Sequence, residues 1–513
     1  MRKPLLILTL FLSVYSYAQN EADAIRYAFQ SIGSTARSYG IAGAFGGIGA
    51  DFSCAAINPS GMARFRSSQF GISMSFVNVR DNSRYIFNEL SDKKFNFNIP
   101  NLGFVFNIPG EDFESKNPSG FVNFVVGFNL NRLNNLHLSS LYNGVNTSSS
   151  ITHNWAERAT ATGDVPSNFS RYSLEHLAYN AWAIDKDTSS LTPAYISAYG
   201  KNNSVKVDQL GNLITKGAIN DYNISFAGNY QHVFLFGISL GAKSVRYIHN
   251  SSFKETDARN APVKDIRYVI QDEYIRTTGL GLNAKLGATI CPNEYLRIGY
   301  AFHSPTVYNL KDSYNYAITS VFDFGAIDQF GDTRIGGKVA TPSVIYQYKI
   351  TSPARNVFSL ALLNKNIGFI SLDIEWVNYT TAKLTPTKAN ASDYSFTEEN
   401  LRIKTLLNPS ALNLRLGSEL VYENYRFRAG YARYPSPYKN NAVPYVKDLV
   451  NNIYTLGFGI KTKKYAFDLA LVNSRSAQYT VPYQIADANR TAYTVTHNLR
   501  TTNVVVSATF PLE

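Results

Sequence analysis

The segment Leu280-Gly281-Leu282-Asn283-Ala284-Lys285-Leu286-Gly287-Ala288 decides the fold class of this chain. Its aliphatic residues occupy every second position, and glycine, asparagine and lysine stand between them. Consecutive side chains of a β-strand point to opposite faces of its sheet. This period of two therefore predicts a strand with one apolar and one polar face.

The same alternation recurs along most of the chain. We assign fourteen segments to strands: 68–80, 100–109, 119–133, 219–233, 234–249, 272–291, 293–304, 340–351, 367–380, 409–422, 424–433, 452–462, 464–474 and 499–511. The stretch Val357–Leu363 is ambiguous and could extend the eighth of them. The sequence thus predicts an all-β protein of about 14 strands, with the number uncertain by two.

The polar face of these strands distinguishes a soluble sandwich from a membrane barrel. A sandwich would expose many charges there, yet only 17% of the 513 residues are charged, whereas 14% are aromatic. The polar face carries mostly glycine, serine, asparagine and threonine. An apolar face toward lipid and a polar face toward a lumen give this pattern, which predicts a transmembrane antiparallel β-barrel. The few charges on the polar face are then expected in the lumen: Arg297, Asp373, Glu375, Arg415, Arg428 and Asp468.

The connections between the segments are of two kinds. Short polar turns stand at Pro292-Asn293-Glu294, Glu423-Asn424 and Thr462-Lys463-Lys464. Long polar connections are expected at 134–218, 305–335, 381–408 and 475–498. Short turns at one end and long loops at the other are typical of bacterial outer-membrane barrels, as is an even number of strands.

Residues 1–18 read as a secretory signal peptide. Arg2 and Lys3 precede an apolar core from Leu5 to Val14, and Ser16 and Ala18 offer small side chains before a cleavage site. This core is too short to span a bilayer, and no later stretch of about 18 apolar residues predicts a membrane helix. We therefore expect the chain in the cell outer membrane as a multi-pass β-barrel that begins at residue 68 and continues to 513.

Residues 19–67 lack clean alternation and are too apolar for a periplasmic linker. We expect them to pack inside the lumen as a plug. Their glycine-rich run Gly43–Gly49 predicts close backbone packing rather than a phosphate-binding loop, since no βαβ unit surrounds it. Six apolar side chains of the plug are candidate contacts for a hydrophobic ligand: Phe45, Ile48, Phe52, Ile57, Met62 and Phe65.

Several motifs of the chain resemble a known family. Gly33–Gly40, Gly43–Gly46 and Ile57-Asn58-Pro59-Ser60-Gly61-Met62-Ala63 are similar to the N-terminal hatch of the long-chain fatty acid transporter family, which includes aromatic-hydrocarbon uptake porins. The family's usual motif is Asn-Pro-Ala-Gly, and Ser60 replaces the alanine here. Leu296–Tyr308, Asp373–Tyr379 and Arg428–Tyr438 resemble later strands of the family, most closely its Bacteroidetes members.

This resemblance implies a fourteen-stranded barrel that a hatch occludes and that passes hydrophobic molecules across the outer membrane without an energy source. It implies capture of ligand at extracellular loops, a pocket inside the barrel, movement of the hatch, and a lateral gap in the wall. Asparagine, proline and glycine each favour a turn, so we expect the turn that holds or gates the hatch at Asn58, Pro59, Ser60 and Gly61. The alternative is that these residues are only a connecting turn before the first strand. Expected partners are a hydrophobic small molecule or lipid and the surrounding outer-membrane lipids, with the protein a monomer.

Other functions have weaker support in the sequence. No Gly-x-Ser-x-Gly motif is present, and the seven histidines lack metal-ligand spacing, so we expect no catalytic residues, metal or cofactor. His303 reads as a strand-end residue rather than a haem ligand or base. The formal charge of +12 comes without a basic tract, so we expect no nucleic acid partner. An outer-membrane hydrolase and a non-transporting barrel that serves as a secretion, assembly or surface-attachment partner stay open as alternatives.

The long connection 134–218 is expected to be an extracellular insertion. It is rich in aromatic residues, among them Trp155 and Trp182. These aromatics either form the core of a folded cap or line a capture groove for an apolar ligand, and the sequence does not separate the two.

The first prediction follows from the signal peptide and the alternating strands. The protein should fractionate with the outer membrane and run faster on a denaturing gel before boiling than after it, because closed barrels resist unfolding in detergent. Recovery from the periplasm without detergent would contradict the barrel.

Overall fold

The computed structural model describes residues 21–30, 33–111, 113–115, 117–199, 205–259, 266–327, 331–387, 394–440, 442, 449–462 and 464–512. Residues 1–20, which include the predicted signal peptide, lie outside this range. The α-helices are α1 (Glu21–Ala28), α2 (Ala36–Gly40), α3 (Cys54–Ile57), α4 (Ile151–Thr162), α5 (Leu174–Asn180) and α6 (Thr397–Leu406), with 3-10 turns at Pro59–Arg64, Pro166–Asn168 and Tyr379–Thr381. No helix in the described ranges has the length and apolar character needed to cross a membrane.

Strands make up most of the described chain. They are β1 (Gln69–Tyr85), β2 (Asn88–Pro109), β3 (Phe121–Asn135), β4 (Leu138–Asn146), β5 (Ile184–Lys186), β6 (Tyr195–Ser197), β7 (Val207–Tyr230), β8 (Phe234–Asp257), β9 (Ile266–Ile290), β10 (Leu296–His303), β11 (Val307–Phe322), β12 (Gly337–Ala340), β13 (Val344–Thr351), β14 (Arg355–Asn364), β15 (Gly368–Val377), β16 (Lys383–Pro386), β17 (Ala411–Tyr422), β18 (Tyr425–Tyr434), β19 (Asn451–Lys461), β20 (Ala466–Thr480) and β21 (Val495–Pro511).

All of these strands except β5 and β6 belong to one antiparallel sheet that closes on itself. The last strand, β21, pairs with β1 from Gln69↔Pro511 to Arg84↔Thr496. Four positions around the barrel are filled by consecutive short strands: β3 with β4, β10 with β11, β12 with β13 and β14, and β15 with β16. The sheet is therefore a closed barrel of fourteen strand positions, and the predicted fold class is confirmed.

The barrel is apolar outside and polar inside, which is the reverse of a soluble protein. Leu280 and Leu282 are 61% and 67% exposed on the outer face of β9, whereas Lys285 of the same strand is fully buried. Large apolar side chains are likewise exposed on the other strands, for example Phe76 of β1 and Leu456 of β19. An exposed apolar band of this extent fits a lipid-facing wall.

Several strands are longer than the sequence pattern indicates. The predicted loop 305–335 is wrong in part, because Val307–Phe322 forms β11 and pairs with β9. The strand that begins at Leu296 is interrupted only at Ser304–Thr306, where Pro305 cannot donate a ladder hydrogen bond. Above the apolar band the outer face of β11 is polar, and its inner face carries buried apolar residues such as Tyr308, Leu310 and Ile318, so the apolar-outside alternation ends although the ladder continues. The ambiguous stretch Val357–Leu363 lies within β14 and does extend the eighth strand position.

The connection 134–218 combines strand and helix. Its ends lie in β4 and β7, which pair with each other, and its middle carries α4, α5 and the small sheet of β5 and β6. These elements bury a common core that includes Trp155, Leu177 and Tyr199. Trp182 is not part of this core and is half-buried.

The outward placement of Leu416 gives a test of the barrel's orientation in the membrane. Leu416 of β17 is 48% exposed in the middle of the apolar band. Leu416→Arg should lower the free energy of unfolding in lipid vesicles by about 2–4 kcal/mol, because a charge near the bilayer midplane is poorly solvated. Asn452→Arg, near the end of the band, is the matched control and should cost much less. Equal losses would mean that β17 does not face lipid there.

Candidate functional site

Glycines of the barrel wall bring the N-terminal segment (residues 33–65) directly against the inner surface. A Cβ atom at Gly71 would lie 2.3 Å from the ring of Phe52, a separation that real Cβ atoms essentially never show. Gly417 meets the carbonyl oxygen of Ile41 in the same way, at 2.5 Å. The set with such contacts, called the wall glycines below, comprises Gly71, Gly103, Gly127, Gly237, Gly287, Gly299, Gly417 and Gly430. They come from strands around the whole barrel, so the segment lies inside the lumen.

The predicted turn Asn58-Pro59-Ser60-Gly61 contacts two wall glycines. A Cβ at Gly287 would lie 2.0 Å from Oδ1 of Asn58, and one at Gly237 would lie 2.4 Å from the backbone of Pro59. Asn58 begins the 3-10 turn, because its Oδ1 accepts a hydrogen bond from the backbone N–H of Ser60 at 3.2 Å. Pro59 fits the first position of this turn because its fixed φ suits the geometry and no N–H is needed there.

Side-chain hydrogen bonds hold the same turn to the wall and to the rest of the segment. Nδ2 of Asn58 donates to the carbonyl of Gly46 at 2.7 Å, and the hydroxyl of Ser60 pairs with that of Thr289 on β9 at 2.8 Å. Nε2 of His303 lies 2.8 Å from the carbonyl oxygen of Ile57. An alanine at this position could not form the hydrogen bond to Thr289, which explains structurally why serine is present at position 60. His303 is a strand-end residue whose contact is with the turn.

Glu375 of β15 and Arg415 of β17, two of the predicted lumen charges, form a buried network with Arg355. Glu375 accepts a hydrogen bond from Nη2 of Arg415 at 3.0 Å and another from Nη1 of Arg355 at 2.5 Å. Asp373 accepts a hydrogen bond from the backbone N–H of Gly46 at 3.0 Å. Removing one member of a buried ion pair leaves an uncompensated charge, which costs about 3–5 kcal/mol.

The remaining predicted lumen charges also face inward. Arg428 donates to Glu419 at 2.6 Å and to Asp468 at 2.7 Å. Arg297 donates to the carbonyl oxygen of Ile48 at 2.6 Å, so this charge contacts the N-terminal segment rather than an acid. Four of the six predicted residues therefore belong to two ion-pair networks, and Asp373 and Arg297 make two separate backbone contacts, so the six do not converge on one site.

Three important lumen residues, Arg355, Lys285 and Asp221, were not predicted from the sequence. Arg355 also donates to the carbonyl oxygen of Ala28, and the buried pair Lys285–Asp221 joins β9 to β7 at 2.8 Å. Lys285 was visible in the alternating segment as the one charge on its polar face. Arg355 follows Pro353 in a stretch that showed no clear strand start, so the sequence offered no signal for it.

The candidate ligand residues of the N-terminal segment pack on one another. Phe45, Ile48, Phe52, Ile57, Met62 and Phe65 are all buried and share one apolar cluster with wall residues such as Val105 and Val125. Trp155 belongs to the separate core of the 134–218 connection, where its Nε1 donates to Gln271 at 3.1 Å. The structure thus brings the six plug residues together and leaves Trp155 and Trp182 elsewhere.

A small polar cavity lies beside this cluster. Its walls come from the N-terminal segment and from β3, β10, β14, β15 and β17, and include Ser34, Asn131, His303 and Arg415. Its volume of about 20 Å³ is enough for about one water molecule. A cavity of this size admits no larger solute.

Gly287 offers a test of how closely the turn must fit the wall. Gly287→Ala should displace Asn58, because its new Cβ would overlap Oδ1, and cells should become more sensitive to large antibiotics that an intact barrel excludes. Gly120→Ala is the matched control, since a Cβ there meets nothing within 4 Å. Heat-modifiable mobility should persist in both variants. Equal antibiotic sensitivity would show that the turn tolerates a gap of this size.

Comparison with solved structures places the fold among known barrels. A FadL homologue from Pseudomonas aeruginosa superimposes with a TM-score of 0.54 at 12% identity, covering 95% of this chain and 100% of that one. The toluene transporter TodX of Pseudomonas putida gives a TM-score of 0.51 at 11% identity, covering 94% of this chain and 100% of TodX. No protein-family model matches the sequence, and no curated protein matches it. Over nearly its whole length, the chain has the barrel fold of the FadL homologue and of TodX.

Proposed function

We propose that the chain is an outer-membrane transport protein for passive uptake of hydrophobic molecules, such as long-chain fatty acids or aromatic hydrocarbons. The molecules pass through a barrel that residues 19–67 occlude as a hatch, and the protein acts as a channel rather than as an enzyme. The observation that carries the proposal is an interruption of the barrel wall beside the closed cavity.

The interruption lies between β2 and β4 and is called the β2–β4 seam below. The ladder between β2 and β3 runs from Pro109↔Asn123 to Asn101↔Asn131 and then stops. The part of β2 from Asn88 to Pro100 pairs with β1 on one edge only, and β4 pairs with β7. A register shift between Arg132 and Asn134 bends the strand at the point where the ladder ends.

Side chains close the seam where backbone bonds are missing. Asn96 on β2 lies 3.2 Å from Nε2 of His137, and Ser139 on β4 donates to Asp92 at 2.7 Å. Such contacts are individually worth only about 0.5–1.5 kcal/mol. The seam can therefore open at much lower cost than a paired part of the wall.

The seam connects the lumen to the apolar exterior. Phe95, Phe97 and Ile99 are exposed on the outer face of β2 along the unpaired stretch. On the inner side, Asn131 and Leu133 line the small cavity at the base of the seam. A hydrophobic solute gains nothing from a water-filled pore, whereas this path leads it past the apolar cluster of the N-terminal segment to lipid.

The hatch must move for this path to conduct, because the cavity holds only about one water molecule. Asn58, Pro59, Ser60 and Gly61 are the proposed gate, since their turn contacts both the wall and Gly46. Phe45, Ile48, Phe52, Ile57, Met62 and Phe65 become available to a ligand once the turn shifts. Trp155 and Trp182 are proposed to act earlier, in the extracellular cap. The fold shared with TodX, a toluene transporter, supports the same class of solute.

A disulfide across the seam tests the proposal. In a background with Cys54→Ala and Cys291→Ala, the pair Asp92→Cys with Ser139→Cys replaces two short side chains that meet across the seam at 2.7 Å. Its oxidation should stop uptake of a radiolabelled long-chain fatty acid or toluene. Reduction should restore uptake, because only the seam is locked.

The control pair crosses a part of the wall that is already hydrogen-bonded. Asn78→Cys with Thr502→Cys joins directly paired residues of β1 and β21 and should leave uptake unchanged under the same oxidation. If the locked seam takes up both solutes as fast as the control, the seam is not the route. A different result would be that cells with the wild-type protein take up neither solute while a periplasmic or surface protein co-purifies with it. In that case the chain is an assembly partner rather than a transporter.

A further inference from the structure

Four cations stand side by side on the outer face of the barrel. Arg475 of β20 pairs directly with Arg500 of β21, Arg500 with Arg80 of β1, and Arg80 with Lys93 of β2. All four residues are exposed. We call this set the cation row. Like charges directly opposite each other across a sheet destabilise it, so a row of four needs a compensating partner.

The described part of the chain does not supply that partner. None of the four cations takes part in the ion pairs of the described residues, and the nearest outward acid, Glu89, is paired with Arg84. Arg80 has a neutral contact only, through its Nε to the hydroxyl of Ser91 at 2.9 Å. The rows above and below the cation row are filled by neutral residues such as Asn498, Asn82, Thr502 and Asn78.

Acids close in sequence to the row point the other way. Asp81 and Asp92 are adjacent to Arg80 and Lys93, but they face the lumen, where Asp81 bonds His497 at 2.8 Å. The alternation of the strands thus places the positive charges outside and the negative charges inside. Exposed positive charge without a counter-charge is complementary to an anion on the outer surface.

The position of the cation row along the barrel axis shows which part of the membrane surrounds it. Phe70, Phe104 and Phe510 form a group of paired aromatics on the outer face near the chain termini. Arg80 lies ten residues along β1 from Phe70. At about 3.3 Å per residue and a tilt of about 40°, this separation is about 25 Å along the barrel axis, which equals the height of the apolar band of outer-membrane barrels. The row therefore stands at the edge of the band that is farther from the chain termini, at the level of lipid headgroups. This end of the barrel carries the long loops, which are extracellular in outer-membrane barrels.

We propose that the cation row binds the phosphate groups of an anionic lipid in the outer leaflet. Arginine is suited to this because its planar guanidinium can donate two parallel hydrogen bonds to a phosphate. The apolar residues below the row, such as Phe76 and Val504, contact the acyl chains of the same lipid. The lipid then acts as the counter-charge that joins the first and last strands at the closure of the barrel.

The test measures lipid binding to the full-length protein in neutral detergent. Lipid A, which carries phosphates on a glycolipid, should bind the wild type and raise its unfolding temperature. The variant Arg80→Gln with Lys93→Gln, Arg475→Gln and Arg500→Gln should bind about tenfold more weakly or worse, since its charge-assisted hydrogen bonds are lost. Without lipid, the variant should unfold no earlier than the wild type, because the repulsion within the row is gone.

Controls separate the row from general charge. Arg66→Gln with Lys365→Gln, Arg426→Gln and Lys464→Gln removes the same charge at the opposite rim and should keep full lipid A binding. Dephosphorylated lipid A should not stabilise the wild type, and inorganic phosphate at equal concentration should have a much smaller effect. Equal stabilisation of the wild type and the row variant by lipid A would overturn the proposal. Equal effects of inorganic phosphate and lipid A would reduce the row to a simple anion site.

Discussion

The barrel holds its N-terminal segment because the wall lacks Cβ atoms where the two surfaces meet. The eight wall glycines come from strands on all sides, and at several of them the backbone of the segment approaches to within 3 Å of where a Cβ would stand. Close approach of two backbones excludes water and leaves little space between them. The position of the turn at Asn58, the small cavity and the closure of the lumen all depend on these contacts.

The polar lumen follows from the irregular backbone of that segment. Short helices and turns pair part of the segment's backbone internally, and the remaining N–H and C=O groups need partners outside it because a buried unpaired group is costly. The wall supplies these partners: Asp373 accepts from Gly46, Arg297 donates to Ile48, and Thr455 donates to Gly40. Other wall charges pair with each other, as Lys285 and Asp221 do. The shape of the lumen and the positions of its polar groups therefore complement the N-terminal segment.

A closed interior and a weak seam together suit a gated path for an apolar solute. The paired wall elsewhere loses many ladder hydrogen bonds if it opens, whereas the β2–β4 seam loses only a few side-chain contacts such as Asn96–His137. The seam ends where Asn131 and Leu133 meet the cavity. Movement of the segment and opening of the seam would therefore act on the same small region of the wall.

The sequence by itself determined the class of fold and the direction in which side chains face. Alternation in stretches such as Leu280–Ala288 fixes strand and face together, because the period of a strand is two. It also places the aliphatic residues outside, and the buried position of Lys285 agrees with this. Within the apolar band, the alternation was sufficient to locate successive strands in the sequence.

Only the tertiary structure decided what depends on neighbours distant in the chain. The strand Val307–Phe322 lacks the apolar outer face of the band, because its outer residues are mostly polar and its apolar residues, such as Leu310 and Ile318, are buried inside. Three such contacts are that of Arg355 with Ala28, that of Gly287 with Asn58 and that of Asn101 with Asn131 at the end of the ladder, and they join residues 30 to 327 positions apart. The local sequence pattern predicts which face of the sheet a residue lies on. It does not predict the partner of that residue, because strand register and barrel closure determine the partner.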